Sequence, residues 1–167
     1  MAAAARILKN FALFVDGRGY VGQAPEVQLP ELNLVEEDFR AGGMDGTIGI
    51  EMGQEKMEAT FTVSAFEAEL LAKWGTGAEV PFTVRGVTES HDGSTEAILA
   101  QVRGKVRSSA PGAFQPGQKA DVVHTVSVTA YKLTINGTVV YDIDVLNMKR
   151  VINGVDRLAS QRSALGI

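Results

Sequence analysis

The sequence predicts a mainly β fold of the α+β type, an antiparallel β-sandwich or barrel with one main helix at about 65–74 and a short C-terminal helix. Three observations predict it. From Lys56 to Ser64, Met57, Ala59, Phe61 and Val63 alternate with Lys56, Glu58, Thr60 and Thr62, the two-residue period of a strand with one buried face. Asn136-Gly137 stands between two strand-like runs and favours the type I′ turn of a hairpin. A single stretch has good helical start and stop signals, so strands follow strands without the βαβ alternation of a parallel sheet.

Taken in order, Phe11 to Val15 reads as a short strand ending at Asp16-Gly17, and Val27 to Phe39 as an extended stretch. Pro25 and Pro30 exclude a helix there, because proline lacks the amide donor and clashes with the preceding turn. Arg40-Ala41-Gly42-Gly43-Met44-Asp45-Gly46 reads as the start of a long extended loop, about 40–55, too rich in glycine to order itself. Ser64-Ala65-Phe66-Glu67 then fits a capping box, Phe66, Leu70, Leu71 and Trp74 share one helical face, and Gly75 supplies a stop.

Strands are expected again over Val80 to Ser90 and Thr95 to Arg107, joined by the turn His91-Asp92-Gly93-Ser94. The second places Ile98, Ala100, Val102 and Val106 on one face, with Gln101, Arg103, Lys105 and Arg107 on the other. Ser108 to Gln118 carries two prolines and two glycines and reads as a loop. A long strand from Lys119 to Ile135 leads to the Asn136-Gly137 turn and its return over Thr138 to Ile143, and Val155 to Leu165 reads as helical.

The 167 residues suit one domain, 1–167, with a core of its own. With no cysteine the fold uses neither disulfides nor thiolate metal sites, and can be made and assembled in a reducing cytoplasm. Lys9 and Asn10 interrupt the apolar start of MAAAARILKNFALF, which disfavours a cleaved leader, and no 18-residue apolar run suggests a membrane span. A net charge of −4 argues against a protein that grips nucleic acid, since phosphate affinity comes from clustered Lys and Arg.

Several motifs imitate chemical sites. Gly17-Arg18-Gly19-Tyr20-Val21-Gly22 matches GxGxxG, but Pro25 and Pro30 deny it the following helix whose amides would hold a pyrophosphate, so a turn is the better reading. The acceptor pattern Asn136-Gly137-Thr138 is better explained by its hairpin. Asp45, Glu51 and Glu55 lack a calcium-loop spacing, and neither His91 nor His124 has triad partners at a suggestive spacing. No catalytic, cofactor-binding or metal-ligating residue is assigned. Glu69 and Lys73 are spaced as an i, i+4 pair on the outward helix face.

Phe11 to Gly17 (FALFVDG), Phe39 to Asp45 (FRAGGMD), Met52-Gly53 with Met57-Glu58-Ala59, Tyr131-Lys132-Leu133, and Tyr141 to Asp144 with Ile152 to Asp156 (YDID and INGVD) occur in order over nearly the whole chain. In these the chain resembles the major tail tube proteins of contractile-tailed phages and of R-type pyocins, which are phage-tail-like bacteriocins. The resemblance implies hexameric rings stacked into a hollow tube, with sheets from six subunits joined around the channel. It also implies a surrounding sheath, baseplate and tail terminator partners, and DNA that passes through a phage tube without specific binding. The particle would be a virion tail or a released tail-like particle, with no stable membrane anchor.

Three expectations attach to residues. The 40–55 segment, with Arg40, Gly42, Gly43, Met44, Asp45, Ile48, Ile50 and Met52, would order on contact with the next ring. Six copies of a net −4 charge give −24 per ring, and Glu31, Glu37 and Glu58, read as strand residues, are candidates for an acidic lumen lining. Glu67 and Glu69 are candidates for a sheath-facing patch. A tube subunit of a type VI-like secretion apparatus is the competing reading, and a small nucleotide-binding enzyme domain the competitor from another class.

Overall fold

The computed structural model of the chain describes residues 5–167, so the first four residues of the stretch weighed as a leader lie outside it. In chain order the strands are β1 (Arg6–Val15), β2 (Arg18–Gly19), β3 (Glu26–Gln28), β4 (Leu34–Phe39), β5 (Ile48–Gln54) and β6 (Met57–Val63). Helix α1 (Ala68–Leu71) precedes β7 (Val80–Ser90), β8 (Thr95–Pro111), β9 (Val122–Ile135), β10 (Thr138–Asp144), β11 (Lys149–Ile152) and β12 (Val155–Asp156), and α2 (Ala159–Leu165) follows. All pairings are antiparallel, as the sequence predicts. Among the described residues no helix is long and apolar enough to cross a membrane.

The architecture turns on β9, which has β8 along one side and two successive neighbours along the other. Val122 to Val128 pair with β6, Ala130 to Ile135 pair with β10, and Thr129 between them belongs to neither ladder. Thr129 is instead held by its own hydroxyl, which donates to the Arg103 carbonyl (3.2 Å), and by the Val145 amide, which donates to its carbonyl (3.0 Å). The extra residue is a β-bulge, and a second lies in β8 at Arg107, between the Val106 and Ser108 pairings. Bulges bend a strand and raise its twist. The sheet β2-β1-β7-β8-β9-β6-β3 therefore curls around a core but stays unclosed, while β10, β11 and β12 continue it from the far half of β9.

The core fills the concave side. Every second residue of β6 is buried, Met57, Ala59, Phe61 and Val63, against Leu13 and Val15 of β1, Phe82 of β7, Ala100 and Val102 of β8 and Val126 of β9. Tyr20, Val27, Leu29 and Leu32 pack across the gap between β1 and β6, where the Ser64 amide binds the Gln23 carbonyl. Gly104 marks the tightest approach: a Cβ there would stand 2.2 Å from the Ser127 carbonyl oxygen. Only a residue without a side chain lets β8 and β9 close at this point.

The expected 65–74 helix is corrected to the single turn Ala68–Leu71. Its cap is Glu67, with no side-chain cap bond, because the Ser64 hydroxyl is taken by Asp121 across the fold. Leu70 alone of the four apolar residues is buried; Phe66 stacks on Phe114 at 4.9 Å and the Trp74 indole donates to the Arg107 carbonyl at 3.0 Å. Phe66 and Trp74 thus find partners far along the chain, Phe114 in the β8–β9 loop and Arg107 in β8, in place of a docked helix face.

Other boundaries also move. Val155–Asp156 is a strand, and the C-terminal helix begins only at Ala159. The first residues of the expected 108–118 loop extend β8 to Pro111, and the 27–39 stretch breaks into β3 and β4 around Pro30. The 40–55 loop is half strand, since β5 pairs with β4 in a separate two-stranded ribbon. Asn136 and Gly137 have φ of 48° and 80°, as a type I′ turn requires.

Gly104→Ala is expected to destabilise the chain by about 3 kcal/mol, because rigid backbone, not a movable side chain, opposes the new methyl group. Urea unfolding checks this; an unchanged midpoint would show that β8 and β9 can part without loss.

Candidate functional site

The β4–β5 ribbon projects a chemistry that its own chain leaves uncovered. Phe39 faces Ile48 and Glu37 faces Ile50 on one side, while Glu36 faces Glu51 and Asp38 faces Gly49 on the other. The apolar side is open: Phe39, Ile48 and Ile50 are each roughly half exposed (48%, 51% and 44%). A Cβ on Gly49 would meet the Glu36 carboxylate at 2.6 Å, so Glu36 lies across that glycine. Two-stranded ribbons are marginal alone, and like charges directly opposed across a pair weaken them further.

One anchor ties the acidic side to the body: Arg150 of β11 forms an ion pair with Glu51. Leu32, Leu34, Met52, Ile143 and Ile152 line a groove between the ribbon base and β10–β11, with Leu158 at the α2 end. At the ribbon tip the Met44 amide donates to the Ala41 carbonyl (3.2 Å) and Gly43 takes a φ of 86°. The expectation that the segment cannot order itself is therefore corrected for 48–54, which β4 templates, and for the 41–44 turn.

Strand edges form a second open surface. β2 pairs with β1 only at Phe14 and Val15, so the β1 edge before them has no partner among the described residues. Ile7 and Leu8 on it are exposed. A long uncovered edge with apolar side chains is a template for another chain.

The remaining candidate residues separate in space. Glu67 and Glu69 both reach the Arg18 guanidinium, at 3.2 and 2.6 Å, and the hydrogen bond it donates to Glu69, with the nearby carboxylate charges, raises the Arg18 pKa. Lys73 pairs with Asp16 at 2.8 Å, so the expected Glu69–Lys73 pair is replaced by two bridges to the β1–β2 turn. Glu31 lies in a loop, correcting its strand placement; Glu37 is on the ribbon, and Glu58 is on β6. Glu58 pairs with Lys56 at 2.6 Å and Arg107 at 3.3 Å, and the Lys56 hydrogen bond lowers its pKa. These three glutamates stand at three different places in the fold.

The sites that were declined are accounted for structurally. Gly17, with φ of 81°, turns β1 into β2, and no helix follows the glycine motif. Asp45, Glu51 and Glu55 do not converge, and among the described residues no group of three His, Cys, Asp or Glu is placed to hold a metal. His91 sits in the β7–β8 turn. His124 is buried in β9, stacked on Phe61 with centroids 5.1 Å apart, and its Nδ1 is 2.9 Å from the Ser109 hydroxyl. Burial pushes its pKa down to about 4.

Sequence reasoning missed Arg18 and Arg150. Arg18 is 51 residues from Glu69 and Arg150 is 99 residues from Glu51, so no local spacing signals either pair.

A curled, unclosed antiparallel sheet with an uncovered edge and a separate two-stranded ribbon defines the class: a β-rich structural subunit. The described fold also resembles solved tube-bearing assemblies. It matches a chain of the sheath-tube complex of an extracellular contractile injection system in its extended state, with TM-score 0.57, 12% identity, and coverage of 75% of this chain and 87% of that one. A chain of the sheath/tube terminator of the same kind of system gives TM-score 0.54 and 11% identity, covering 76% and 93%.

The family model for phage tail tube protein FII matches residues 5–166, and the chain belongs to that family. It is 31% identical over 169 residues to the tail tube protein of Escherichia phage P2, covering 97% of this chain and 98% of that one. It is also 29% identical over 143 residues to the major tail tube protein of Serratia phage KSP20, covering 84% and 83%. The chain is a structural tail tube protein.

Burial of His124 makes stability depend on pH. Its folded pKa, about 4, lies below the unfolded value of 6.5, so the unfolded chain binds the proton first as pH falls. The contribution is intact above pH 6.5, declines as pH falls between those values and is lost below about 4, amounting to about 3 kcal/mol. In urea unfolding from pH 7 to 4, His124→Phe should flatten this part of the profile; an identical profile in parent and variant would refute it.

Proposed function

We propose that this chain forms hexameric rings that stack into the inner tube of a contractile particle, with the β4–β5 ribbon as the contact between rings. The ribbon carries the reading. It places Phe39, Ile48, Ile50 and Met52 in water on a two-stranded element that burial against another copy would stabilise. The open β1 edge supports ring closure, because joining sheets around a channel removes edges that invite uncontrolled pairing.

A sheath, a baseplate and a tail terminator are the expected partners, and in a phage the channel conducts DNA. Tail tube relatives from two phages support a virion tail or tail-like particle assembled in the bacterial cytoplasm. The net −4 charge of each copy supports a conduit that does not retain a polyanion. No chemistry is assigned to any side chain, and the function is mechanical.

Deleting Gly42 to Gly46 should leave soluble subunits or isolated rings in negative-stain electron microscopy. Full-length tubes from that variant would remove the ribbon from the stacking contact.

For the sheath, Glu67 and Glu69 are proposed to receive basic groups, sharing their charge with Arg18. Reversing both to lysine should impair sheath attachment while tubes still form, with the milder E67Q/E69Q pair separating sheath loss from repulsion against Arg18. Normally sheathed particles from both variants would reject this patch.

A further inference from the structure

Of the three carboxylates on the acidic side of the ribbon, one is answered among the described residues. Arg150 pairs with Glu51, whereas Glu36, directly across the ribbon from Glu51, and Asp38 make no ion pair or side-chain hydrogen bond among the described residues. A cationic surface would relieve this repulsion.

The same chain carries such a surface. Arg103 and Lys105 point outward from β8, with Lys132 of β9 opposite Gln101 on the same face. None of the three forms an ion pair among the described residues, unlike Arg107, which pairs with Glu58. The exposure of Arg103 and Lys105 follows from strand alternation, since Val102, Gly104 and Val106 of the same strand face inward, while Lys132 is half-buried.

Spacing matches as well as charge. Glu36 and Asp38 are two residues apart on one face of β4, and Arg103 and Lys105 are two residues apart on one face of β8, both about 7 Å. Two strands laid face to face would therefore bring each carboxylate against a cation. A long polyanion fits the basic face less well, because Glu58, Asp142 and Asp144 border it.

We propose that the acidic face of the ribbon of one copy docks on the outer β8–β9 face of a second copy in the adjoining ring, Glu36 and Asp38 meeting Arg103, Lys105 and Lys132. This names a receiving surface for one side of the ribbon, the apolar side of Phe39, Ile48 and Ile50 being left to the rest of the stacking contact, and rests on the ribbon's being that contact. The interface is heterologous, the ribbon of each copy engaging a different patch on the next, so it repeats along a stack without closing. The charges set register and partner orientation, and the contact should weaken as salt screens it.

The test uses the full chain with charge swaps. E36K/D38K alone and R103E/K105E alone should each raise the concentration needed for tube formation about tenfold or more. The four substitutions combined should restore tubes, since the swapped charges again complement each other. Unfolding temperatures close to the parent's establish that loss of tubes is not loss of fold, and the neutral R103Q/K105Q pair serves if the reversal misfolds.

Because the chain has no cysteine, D38C/R103C provides a second readout: oxidised tubes should give a ladder of interchain disulfides on a non-reducing gel. Tubes formed normally by R103E/K105E, or tubes without a ladder, would overturn the docking. So would R103E/K105E tubes that assemble normally but retain less duplex DNA, which would assign the basic face to nucleic acid. Loss of tubes on deleting Gly42 to Gly46, with R103E/K105E unaffected, would leave the ribbon as the stacking contact and remove only this receiving face.

Discussion

Everything in this fold depends on the close approach of β8 and β9 at Gly104. There the backbone of one strand lies so near the Ser127 carbonyl that no side chain can intervene, and one residue later in the ladder Thr129 bulges out of register. The bend this produces lets β9 serve β6 with its first half and β10 with its second. A straight strand would keep one neighbour on each side and yield a flatter sheet. The curvature creates a concave face deep enough to bury Leu13, Phe61, Phe82 and Val126 together.

The same curvature explains what is left uncovered. The sheet curls without closing, so β1 keeps an open edge, and the chain between β3 and β6 is pushed outward as a ribbon with no core of its own. On an isolated molecule both features are liabilities, one inviting strand pairing and the other exposing apolar surface. In the proposed tube of identical copies they would serve assembly instead, because a neighbour that covers the ribbon would add to the stability that its β4–β5 pairing and the Arg150–Glu51 contact already give it.

Charge is distributed in keeping with that role. The chain has a modest net charge, with carboxylates on the ribbon (Glu36, Glu37, Asp38 and Glu51) and at α1 (Glu67 and Glu69), while Arg103, Lys105 and Lys132, which form no ion pair among the described residues, lie on the outer face of β8 and β9. Arg18 and Arg150 hold the bases of the two acidic patches in place, the first through Glu67 and Glu69, the second through Glu51. Exposed pairs of this sort contribute little stability each. Their effect is positional, holding each acidic patch against the element that carries its arginine.

The sequence by itself determined the local periodicities: alternation made Met57 to Val63 a strand, Asn136-Gly137 made a hairpin turn, and Pro25 and Pro30 denied Gly17 to Gly22 a following helix. It also carried, in ordered motifs along the chain, the resemblance to tail tubes. What only the tertiary structure decided were outcomes in which a distant group competes with a local signal. Asp121 took the Ser64 hydroxyl that would have capped a longer helix, β4 gave the glycine-rich segment a template, and Arg18 and Arg150 chose partners from opposite ends of the chain. Short-range patterns register the backbone preferences of neighbouring residues, whereas ion pairs, free edges and uncovered faces depend on which surfaces the folded chain brings together in space.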